Sequence, residues 1–594
     1  MSSRDRQSRR GRRNREEASY DEASRARYRV RASRPGGEGS GGADAGISVT
    51  RKIFLALAAV VAGRLAFLQL FKHDEYSAAA TNQRTNKVTL HAMRGTIYDR
   101  NGNVLAMSVE CETVYANPKA VTDPSGVAEL LVRFLGGEKL DYMDLLTEDT
   151  TFVYLAQKVD QEIAEELADE LAKKELAGVY FLTDTKRVYP YGTTAAQVIG
   201  YVGTEGTGLS GLELYYDDVL TGTDGEMLME TGLDGTPIAG GASQVTEAKD
   251  GTDLVISIDV DLQELCEGVI VEAAETYSAE SGSVMVTDPR SGEVLAACST
   301  PLPDFSNIED PASLNLKLVS SSFEPGSLFK VLTTSIGIEA GLFTKDTVYN
   351  VPAQVTVGSD VVTDVDGRDY AMSMSVRDML VRSSNTAMAQ LVQDVIGAKT
   401  FSEGVERYGI GQKTGIDFPG EVDGIVRTLD EYDGATAGSM AFGQGLAVPL
   451  VQIVRAFGAV ANGGVPCTPH FLVYRGEEEV EWPTGDRVVS KETVAQEIEM
   501  MRGVMTEGSG TTGLVEGYDM AGKTGTGEQA DESGGYRKNS FVSSLCAFAN
   551  ADDPQLLVYV GLNNTPYLSS SSAGVAFHEI AQQALGMLGV ASAS

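Results

Sequence analysis

The sequence FEPGSLFKVLTT, residues 323–334, contains the first of three short motifs on which the interpretation of this chain depends. Pro325 and Gly326 interrupt the backbone directly before Ser327, and the residues that follow are typical of the first turn of a buried helix. A helix places Ser327 and Lys330 on one face, so the amine can reach the hydroxyl. A serine hydroxyl becomes a good nucleophile when a base takes its proton, and burial beside positive charge lowers a lysine pKa enough for that task. An ordinary helix start is the alternative for this motif alone.

The second motif lies in VRSSNTAMAQLVQDV, residues 381–395, where Ser383, Ser384 and Asn385 precede a helical pattern. The hydroxyl of Ser383 can relay a proton between Lys330 and a leaving amine, and the amide of Asn385 can bind both a substrate carbonyl and the lysine. A plain helix cap is the alternative for this triplet alone, because Ser and Asn are favoured at that position.

The third motif is AGKTGTGEQA, residues 521–530, with Lys523, Thr524, Gly525 and Thr526. On an edge strand the glycine would let a substrate backbone approach closely. The lysine and the two threonine hydroxyls could hold a terminal carboxylate. A backbone N–H of this strand and that of the reactive serine would form an oxyanion hole.

A second Lys-Thr-Gly triplet, Lys413 to Gly415, occurs in GIGQKTGIDFPGE, residues 409–421. It lies among glycines and a proline, which predicts a loop. The later triplet instead leads toward the strands at the end of the chain. We therefore predict that Lys523, and not Lys413, belongs to the site.

Strand patterns lie at both ends of the region that carries the three motifs. LVISIDV and SGSVMVTDPRSGEVLAAC open it, FVSSLCAF and QLLVYVGLNN close it, and the middle is helical or rich in loops. This arrangement predicts an α+β fold in which one antiparallel sheet, built from distant parts of the chain, packs against helices. We place this unit at residues 251–590 and a mostly β pedestal, with a hairpin at 94–106 and a helix near 161–174, at residues 73–250.

Residues 53–71, IFLALAAVVAGRLAFLQLF, are apolar over about the length that a transmembrane helix needs. The preceding residues contain more Lys and Arg than Asp and Glu, which predicts that residues 1–52 form a disordered basic tail in the cytoplasm and that the rest lies outside. A cleaved signal peptide is the alternative, but so long a tail before the apolar run disfavours it. Arg64 interrupts the run and either snorkels to the interface or faces a partner helix.

Composition disfavours several other classes of function. The formal net charge is −36 although the tail is basic, so we expect no binding of nucleic acid by the body. The five cysteines include no C-x-x-C pair, and the four histidines form no H-E-x-x-H motif, so we expect no metal site. Free buried thiols are the expectation for the cysteines, with one disulfide left open. No cofactor is implied.

The three motifs together, in this order, resemble those of class B penicillin-binding proteins, which are peptidoglycan D,D-transpeptidases. The likeness runs from about Phe67 to the last helix and includes GRLAFLQ at 63–69, RGTIYDRNG at 94–102, GLSGLE at 208–213 and AFGQGLAVPLVQIVRAFGAVANGG at 441–464. It implies that Ser327 attacks the D-alanyl-D-alanine carbonyl of a stem peptide and expels D-alanine. The acyl group would pass to an amine of a neighbouring stem, and penicillins would acylate the same serine.

Several alternatives remain within and near this family. The cellular role is open between division, elongation and sporulation, and we favour septal synthesis. A secreted β-lactamase would need a deacylating glutamate, and no E-x-x-L-N occurs between Asn385 and Lys523. A β-lactam sensor would carry a zinc-protease motif, and a bifunctional synthase would carry a glycosyltransferase domain, for which the pedestal is too short.

The resemblance also implies a location and partners. A single-pass anchor would hold the catalytic unit outside the cell membrane, where stem peptides and β-lactam antibiotics reach it. A transpeptidase cannot polymerise glycan, so we expect it to act beside a membrane glycosyltransferase of the FtsW/RodA kind and with other divisome proteins.

Overall fold

The structure is a computed structural model that describes residues 41–73, 85–230, 243–304, 311–530, 536–567 and 571–592. The predicted tail lies outside the described residues as far as residue 40. Helix α1, Gly41–Phe71, begins before the predicted residue 53, because no proline interrupts residues 41–52. Its segment Ile47–Phe71 is long and apolar enough to cross a membrane. Residues 41–52 of the tail are therefore helical rather than disordered as predicted.

The region after α1 combines strands with helices on one face of a sheet. Its strands are β1 Thr85–Leu90, β2 Ile97–Tyr98, β3 Val104–Ala116, β4 Val153–Asp160, β5 Val179–Val188, β6 Gly225–Glu230 and β7 Ser243–Thr246, and its helices are α2 Pro124–Leu135, α3 Lys139–Leu146, α4 Gln161–Lys173, α5 Ala196–Ile199, α6 Gly211–Tyr215 and α7 Asp217–Leu220. β2 and β3 form the predicted hairpin, because the Asp99 carboxylate accepts the backbone N–H groups of Asn101 and Asn103 at the turn. Val114, Leu130 and Leu167 form part of the core between sheet and helices.

The region with the three motifs contributes the remaining elements. Its strands are β8 Leu254–Ile256, β9 Ser281–Thr287, β10 Val294–Ser299, β11 Val348–Val351, β12 Gln354–Val357, β13 Asp360–Thr363, β14 Met372–Ser375, β15 Leu472–Arg475, β16 Glu478–Glu479, β17 Met520–Ala530, β18 Tyr536–Ala549 and β19 Leu556–Thr565. Its helices are α8 Val260–Thr276, α9 Lys317–Ser320, α10 Lys330–Glu339, α11 Val376–Val381, α12 Asn385–Gln390, α13 Ala398–Arg407, α14 Thr436–Met440, α15 Leu450–Ala461, α16 Lys491–Thr506 and α17 Ser571–Met587. A π-helical turn, Leu391–Ile396, follows α12.

A five-stranded antiparallel sheet forms the centre of this region, in the order β10-β9-β19-β18-β17. Two of its strands come from residues 281–299 and three from residues 520–565, which confirms the prediction of a sheet built from distant parts of the chain. Successive side chains of a strand point to opposite faces. Val558 and Val560 accordingly pack in the core with α8 and α17, whereas Leu557 and Tyr559 pack in the other core, with α10, α15 and α16.

The pedestal and the catalytic region share a second sheet. β8 pairs with β15 on one side and runs parallel to β2 of the pedestal hairpin on the other. The described residues of 87–228 and 243–594 form one compact unit. The predicted boundary near residue 250 lies within this unit, and the division into two domains stays a prediction.

Candidate active site

Ser327 lies at the start of the helix that the first motif predicts. A 3₁₀ turn, Gly326–Phe329, runs directly into α10, and Ser327 is largely buried. The backbone N–H of Gly326 donates to the carbonyl of Gly443 at 3.0 Å. A Cβ at Gly443, whose φ is +83°, would lie 2.0 Å from the Gly326 carbonyl oxygen. A glycine at position 443 thus lets a distant loop support the turn that presents Ser327.

Lys330 is fully buried and its amine is held by the second motif. Nζ lies 2.6 Å from the carbonyl oxygen of Ser383, 2.7 Å from Oδ1 of Asn385 and 3.2 Å from Oγ of Ser383. Burial lowers the pKa of Lys330 well below its usual value, and the charge of Lys523 acts in the same direction. The amine therefore contacts three oxygen atoms of the second motif, all within hydrogen-bond distance.

The Ser383 hydroxyl lies between two lysines. It is 3.2 Å from Nζ of Lys330 and accepts a hydrogen bond from Nζ of Lys523 at 3.0 Å. Lys523 is also fully buried, donates to the carbonyl of Thr524 at 2.8 Å, and has its pKa lowered to about 7 by burial. This arrangement provides a continuous route for a proton between the first and third motifs.

The predicted contact between Lys330 and Ser327 is not made in this structure. Within the described part of the chain, the Ser327 hydroxyl has no hydrogen bond, and the amine is occupied by Ser383 and Asn385 instead. The predicted i, i+3 spacing does bring both residues to one end of the helix. Hydrogen bonds of reacting groups often tighten only when substrate is bound.

The third motif lies on β17, which is an edge strand of the central sheet, as the sequence predicts. Close approach of a substrate backbone at Gly525 stays a prediction. The glycine also has a packing role, because a Cβ there would lie 2.2 Å from Oγ of Ser544 and 3.3 Å from Cγ of Leu328. It permits β17 to pack against the turn that carries Ser327. Thr524 is buried with its hydroxyl bonded to that of Ser509, whereas Thr526 is half-buried.

The other Lys-Thr-Gly triplet lies elsewhere and is stabilised locally. Lys413 is exposed, and the backbone N–H and hydroxyl of Thr414 both donate to Glu421 at 2.6 Å. Gly415 has a φ of +84°, as in a turn. These residues have no hydrogen bond to the three motifs in the region that the structure describes.

Three residues near the site are not among the predicted site residues. They are Gly443, the buried Glu497, which contacts Thr334 of α10, and Asp364, which binds Ser384 and Thr386 beside the second motif. Gly443 and Glu497 act through contacts with segments far away in the chain, and Asp364 contacts residues about twenty positions later. Of the three, Gly443 alone lies in a segment, residues 441–464, that shows the family resemblance. Among the described residues, no group of three His, Cys, Asp or Glu could hold a metal ion, and all five cysteines are buried and free.

A serine at a helix start, two buried lysines and an edge strand of a sheet covered by helices on both faces define a serine-dependent acyl-transfer enzyme. The model of the penicillin-binding protein transpeptidase domain matches residues 282–582, and that of the penicillin-binding protein dimerisation domain matches residues 89–256. The chain belongs to the class B penicillin-binding proteins and is a serine-type D,D-transpeptidase of peptidoglycan synthesis.

Individual relatives agree with this assignment. Penicillin-binding protein PbpB of Mycobacterium tuberculosis is 32% identical over 89% of this chain and 83% of its own length. Peptidoglycan D,D-transpeptidase FtsI of Escherichia coli is 27% identical over 86% of each chain. A crystal structure from Atopobium parvulum, named provisionally as a peptidoglycan glycosyltransferase, is 44% identical, with a TM-score of 0.68 over 85% of this chain and all of that one. The glycosyltransferase activity belongs to the name of the Atopobium protein. The family models that match the present chain are those of the dimerisation and transpeptidase domains.

Proposed function

We propose that Ser327 forms the acyl-enzyme of this D,D-transpeptidase and that Lys330 is its base. The neutral Lys330 amine takes the hydroxyl proton as Ser327 Oγ bonds to the carbonyl carbon of the penultimate D-alanine. The bond to the terminal D-alanine then breaks, and that leaving amine receives the proton through the Ser383 hydroxyl. An amine of a second stem attacks the ester, loses a proton along the same route, and releases Ser327 with a new peptide bond.

The observation that carries this proposal is the pair of buried lysines that share one hydroxyl. Lys330 lies 3.2 Å and Lys523 lies 3.0 Å from Oγ of Ser383. Burial lowers the pKa of both amines, and pairs of titratable groups with shifted pKa values are typical of acid and base partners. A purely structural lysine would have no reason to be fully buried without a carboxylate beside it.

Substrate recognition is assigned to the third motif. Lys523, once protonated, and the hydroxyl of Thr526 would hold the terminal carboxylate, with Thr524 and Gly525 shaping that strand. The amide of Asn385 would bind a substrate carbonyl, and the backbone N–H groups of Ser327 and of the strand would stabilise the oxyanion. A β-lactam presents a carboxylate and a reactive carbonyl in similar positions, so it would acylate the same serine.

The cellular role proposed is septal cross-linking beside a membrane glycosyltransferase of the FtsW/RodA kind, together with other divisome proteins. The apolar span Ile47–Phe71 supports a single-pass anchor. The excess of positive charge before it supports a cytoplasmic N-terminus and an extracytoplasmic catalytic region. We also propose that residues 73–250 form a pedestal domain and that residues 251–590 form the transpeptidase domain.

Labelled penicillin tests the acyl-enzyme. We expect mass spectrometry of the labelled protein to find the label on Ser327 and no other residue, and we expect Ser327→Ala to remove it. Lys330→Ala should abolish labelling while the far-ultraviolet circular dichroism stays unchanged, because the amine transfers a proton. A label on another serine would eliminate this mechanism. Rapid hydrolysis of the label would instead favour a β-lactamase.

A further inference from the structure

The backbone at Ser383 has an unusual conformation that the proposed chemistry requires. Its φ is +56°, in the left-handed region that non-glycine residues avoid. This conformation directs the Ser383 carbonyl to Nζ of Lys330 at 2.6 Å and leaves the hydroxyl between the two lysines. Glycine would relieve the strain but would remove that hydroxyl. A strained residue of this kind persists only where its surroundings enforce the conformation.

A buried carboxylate accepts hydrogen bonds from the residues that follow Ser383. Asp364 lies between β13 and β14, and its side chain is 7% exposed. It accepts hydrogen bonds from the Ser384 hydroxyl at 2.8 Å, from the Thr386 backbone N–H at 3.0 Å and from the Thr386 hydroxyl at 3.1 Å. Ser384 in turn caps α12 by accepting the N–H of Ala387. The Asp364 carboxylate therefore fixes the first turn of α12, directly after the strained residue.

Arg368 holds the carboxylate in place from the other side. Its guanidinium contacts Asp364 at 3.1 Å, donates to the Thr386 hydroxyl at 2.8 Å, and donates to the carbonyl groups of Val351 at 3.0 Å and Pro352 at 2.6 Å. The Arg368 side chain is 3% exposed, so the pair is shielded from water. Charged groups with several hydrogen bonds each are held more firmly than a single exposed ion pair.

The same segment also reaches the second motif directly. Thr363, at the end of β13, lies beside Asn385, whose Nδ2 donates to the Thr363 carbonyl at 3.4 Å. Oδ1 of the same amide accepts from Lys330. The segment before Asp364 and the carboxylate itself therefore contact Asn385 and its two neighbours, and each contact restricts where Ser383 and Asn385 can point.

We propose that Asp364 and Arg368 are positioning residues for the transpeptidase reaction, which hold Ser383 in its left-handed conformation and aim its carbonyl and hydroxyl at Lys330. This inference rests on the proposed roles of Ser327, Lys330 and Ser383. Neither Asp364 nor Arg368 belongs to the three motifs, and neither is assigned to contact substrate. Their effect is exerted on the base and the proton route, so it should be seen in the rate of acylation rather than in the binding of penicillin.

The charge of Asp364 adds a second consequence. The charged groups that act on Lys330 are Lys523, which lowers its pKa, and Asp364, which raises it. Removing the negative charge at 364 should let Lys330 lose its proton at lower pH. The rise of the acylation rate with pH would then move to lower pH, whereas a residue with only a structural role would lower the rate equally at every pH.

The test compares Asp364→Asn, Arg368→Gln and a matched control, Asp360→Asn, in the full-length protein. Asp360 is exposed in the same segment, and among the described residues its carboxylate accepts a hydrogen bond only from the Ser359 hydroxyl, at 3.4 Å. Stopped-flow acylation by a fluorescent penicillin gives the limiting rate and the half-saturating concentration separately, at several pH values. The melting temperature of each variant establishes that it is folded.

We expect Asp364→Asn and Arg368→Gln to lower the limiting rate about tenfold or more, the scale of a small misplacement of reacting groups, with half-saturation little changed. Asp364→Asn should also shift the rise of the acylation rate to lower pH, and Arg368→Gln should not. Limiting rates equal to that of Asp360→Asn would overturn the inference, as would a change confined to half-saturation. If Asp364→Asn does not fold, the limiting rate of Arg368→Gln alone tests the inference. Failure of the wild type to label at Ser327 would instead refute the proposed function.

Discussion

Lys330 and Lys523 face one hydroxyl without a carboxylate contact to either amine among the described residues. Two ammonium groups that face one buried hydroxyl repel each other, which favours the neutral form of one of them. The pKa of Lys330 is lowered by burial and by Lys523 together, whereas burial alone lowers that of Lys523. These directions fit a neutral Lys330 as base and a protonated Lys523 as the group that meets a carboxylate.

The two Lys-Thr-Gly triplets should therefore respond differently to the loss of their lysine. Lys523→Ala removes a buried charged group from the site and should slow acylation by at least ~10²-fold, the usual scale for a positioned electrostatic group. Lys413→Ala alters an exposed side chain and should change the free energy of unfolding by no more than about 0.5 kcal/mol, with normal labelling. Penicillin labelling and thermal unfolding measure both effects. An essential Lys413 would mean that the carboxylate site is placed wrongly.

Glu497 supplies a pH-dependent contribution to stability behind the catalytic helix. It is fully buried, and its carboxyl contacts the Thr334 hydroxyl, which also contacts the carbonyl of Lys330 at 2.9 Å. Burial raises its pKa well above 4.5 in the folded protein. The unfolded chain therefore releases this proton at lower pH than the folded chain does. The stability that the neutral acid provides is complete below about pH 4.5 and is lost as pH rises toward the folded pKa.

Replacing Glu497 with glutamine should cancel this dependence. We expect the melting temperature of Glu497→Gln, relative to that of the wild type, to increase as pH is raised from 5 toward 8. Glu267 and Asp417, whose pKa values are raised to about 7 and about 6 by burial, also titrate there, but they are the same in both proteins and cancel in the difference. A difference in melting temperature that does not vary with pH would show that Glu497 is ionised in the folded protein.

At the scale of elements, the strands and the three motifs could be predicted from sequence, because alternating apolar residues and short fixed spacings are local patterns. The central sheet, the helix after Ser327 and the edge position of β17 follow from such patterns. The contacts of the Lys330 amine with the Ser383 hydroxyl and the Asn385 amide agree with the roles predicted for the second motif. Its contact with the Ser383 carbonyl could not be predicted, because it depends on the left-handed backbone at Ser383. The clash that excludes a side chain at Gly525 likewise depends on a turn that lies about two hundred residues earlier in the chain.

Substitution of Gly443 should impair acylation, as substitutions in the three motifs should, although this residue lies in a separate loop. Gly443→Ala introduces a Cβ 2.0 Å from the Gly326 carbonyl oxygen in a left-handed backbone, so the turn that presents Ser327 must shift. We expect a loss of about 1–3 kcal/mol in the free energy of unfolding, and slower acylation. Chemical denaturation and penicillin labelling measure the two effects.

Gly268 offers a matched control for this substitution. It is exposed within α8, and a Cβ there would meet nothing within 4 Å outside its own helix. Gly268→Ala should raise the free energy of unfolding by roughly 0.5–1 kcal/mol, because alanine is the better helix former, and labelling should not change. Normal acylation in a folded Gly443→Ala variant would show that the Gly443 loop does not position Ser327.

At the scale of the whole molecule, the pedestal is joined to the catalytic sheet by buried polar contacts. The amide of Gln197 donates to the carbonyl groups of Ser299 and Ser313 at 2.7 Å and accepts the N–H of Ser299 at 2.8 Å. The Tyr216 hydroxyl donates to the buried Asp417 at 2.8 Å. Buried polar groups satisfied in this way fix one arrangement of their elements. The contacts of Gln197 with Ser299 join the pedestal to β10, an edge strand of the central sheet, within one compact unit.

The last prediction concerns the anchor helix as a binding element. Arg64 and Gln69 lie within the apolar span Ile47–Phe71, and polar groups in a single spanning helix usually face another protein or water because lipid disfavours them. We expect this helix and the pedestal to contact the membrane glycosyltransferase that supplies the glycan.

The test replaces residues 53–71 with an unrelated spanning helix of the same length and keeps the rest of the chain. Penicillin labelling should remain normal, because the acylation residues lie in the separate folded body. Co-purification with the polymerase and growth of cells that depend on the variant should be lost. As a control, the double variant Arg64→Leu and Gln69→Leu retains the native helix and should weaken co-purification if these polar groups face the partner. Full function with the foreign helix would show that residues 53–71 only tether the enzyme to the membrane.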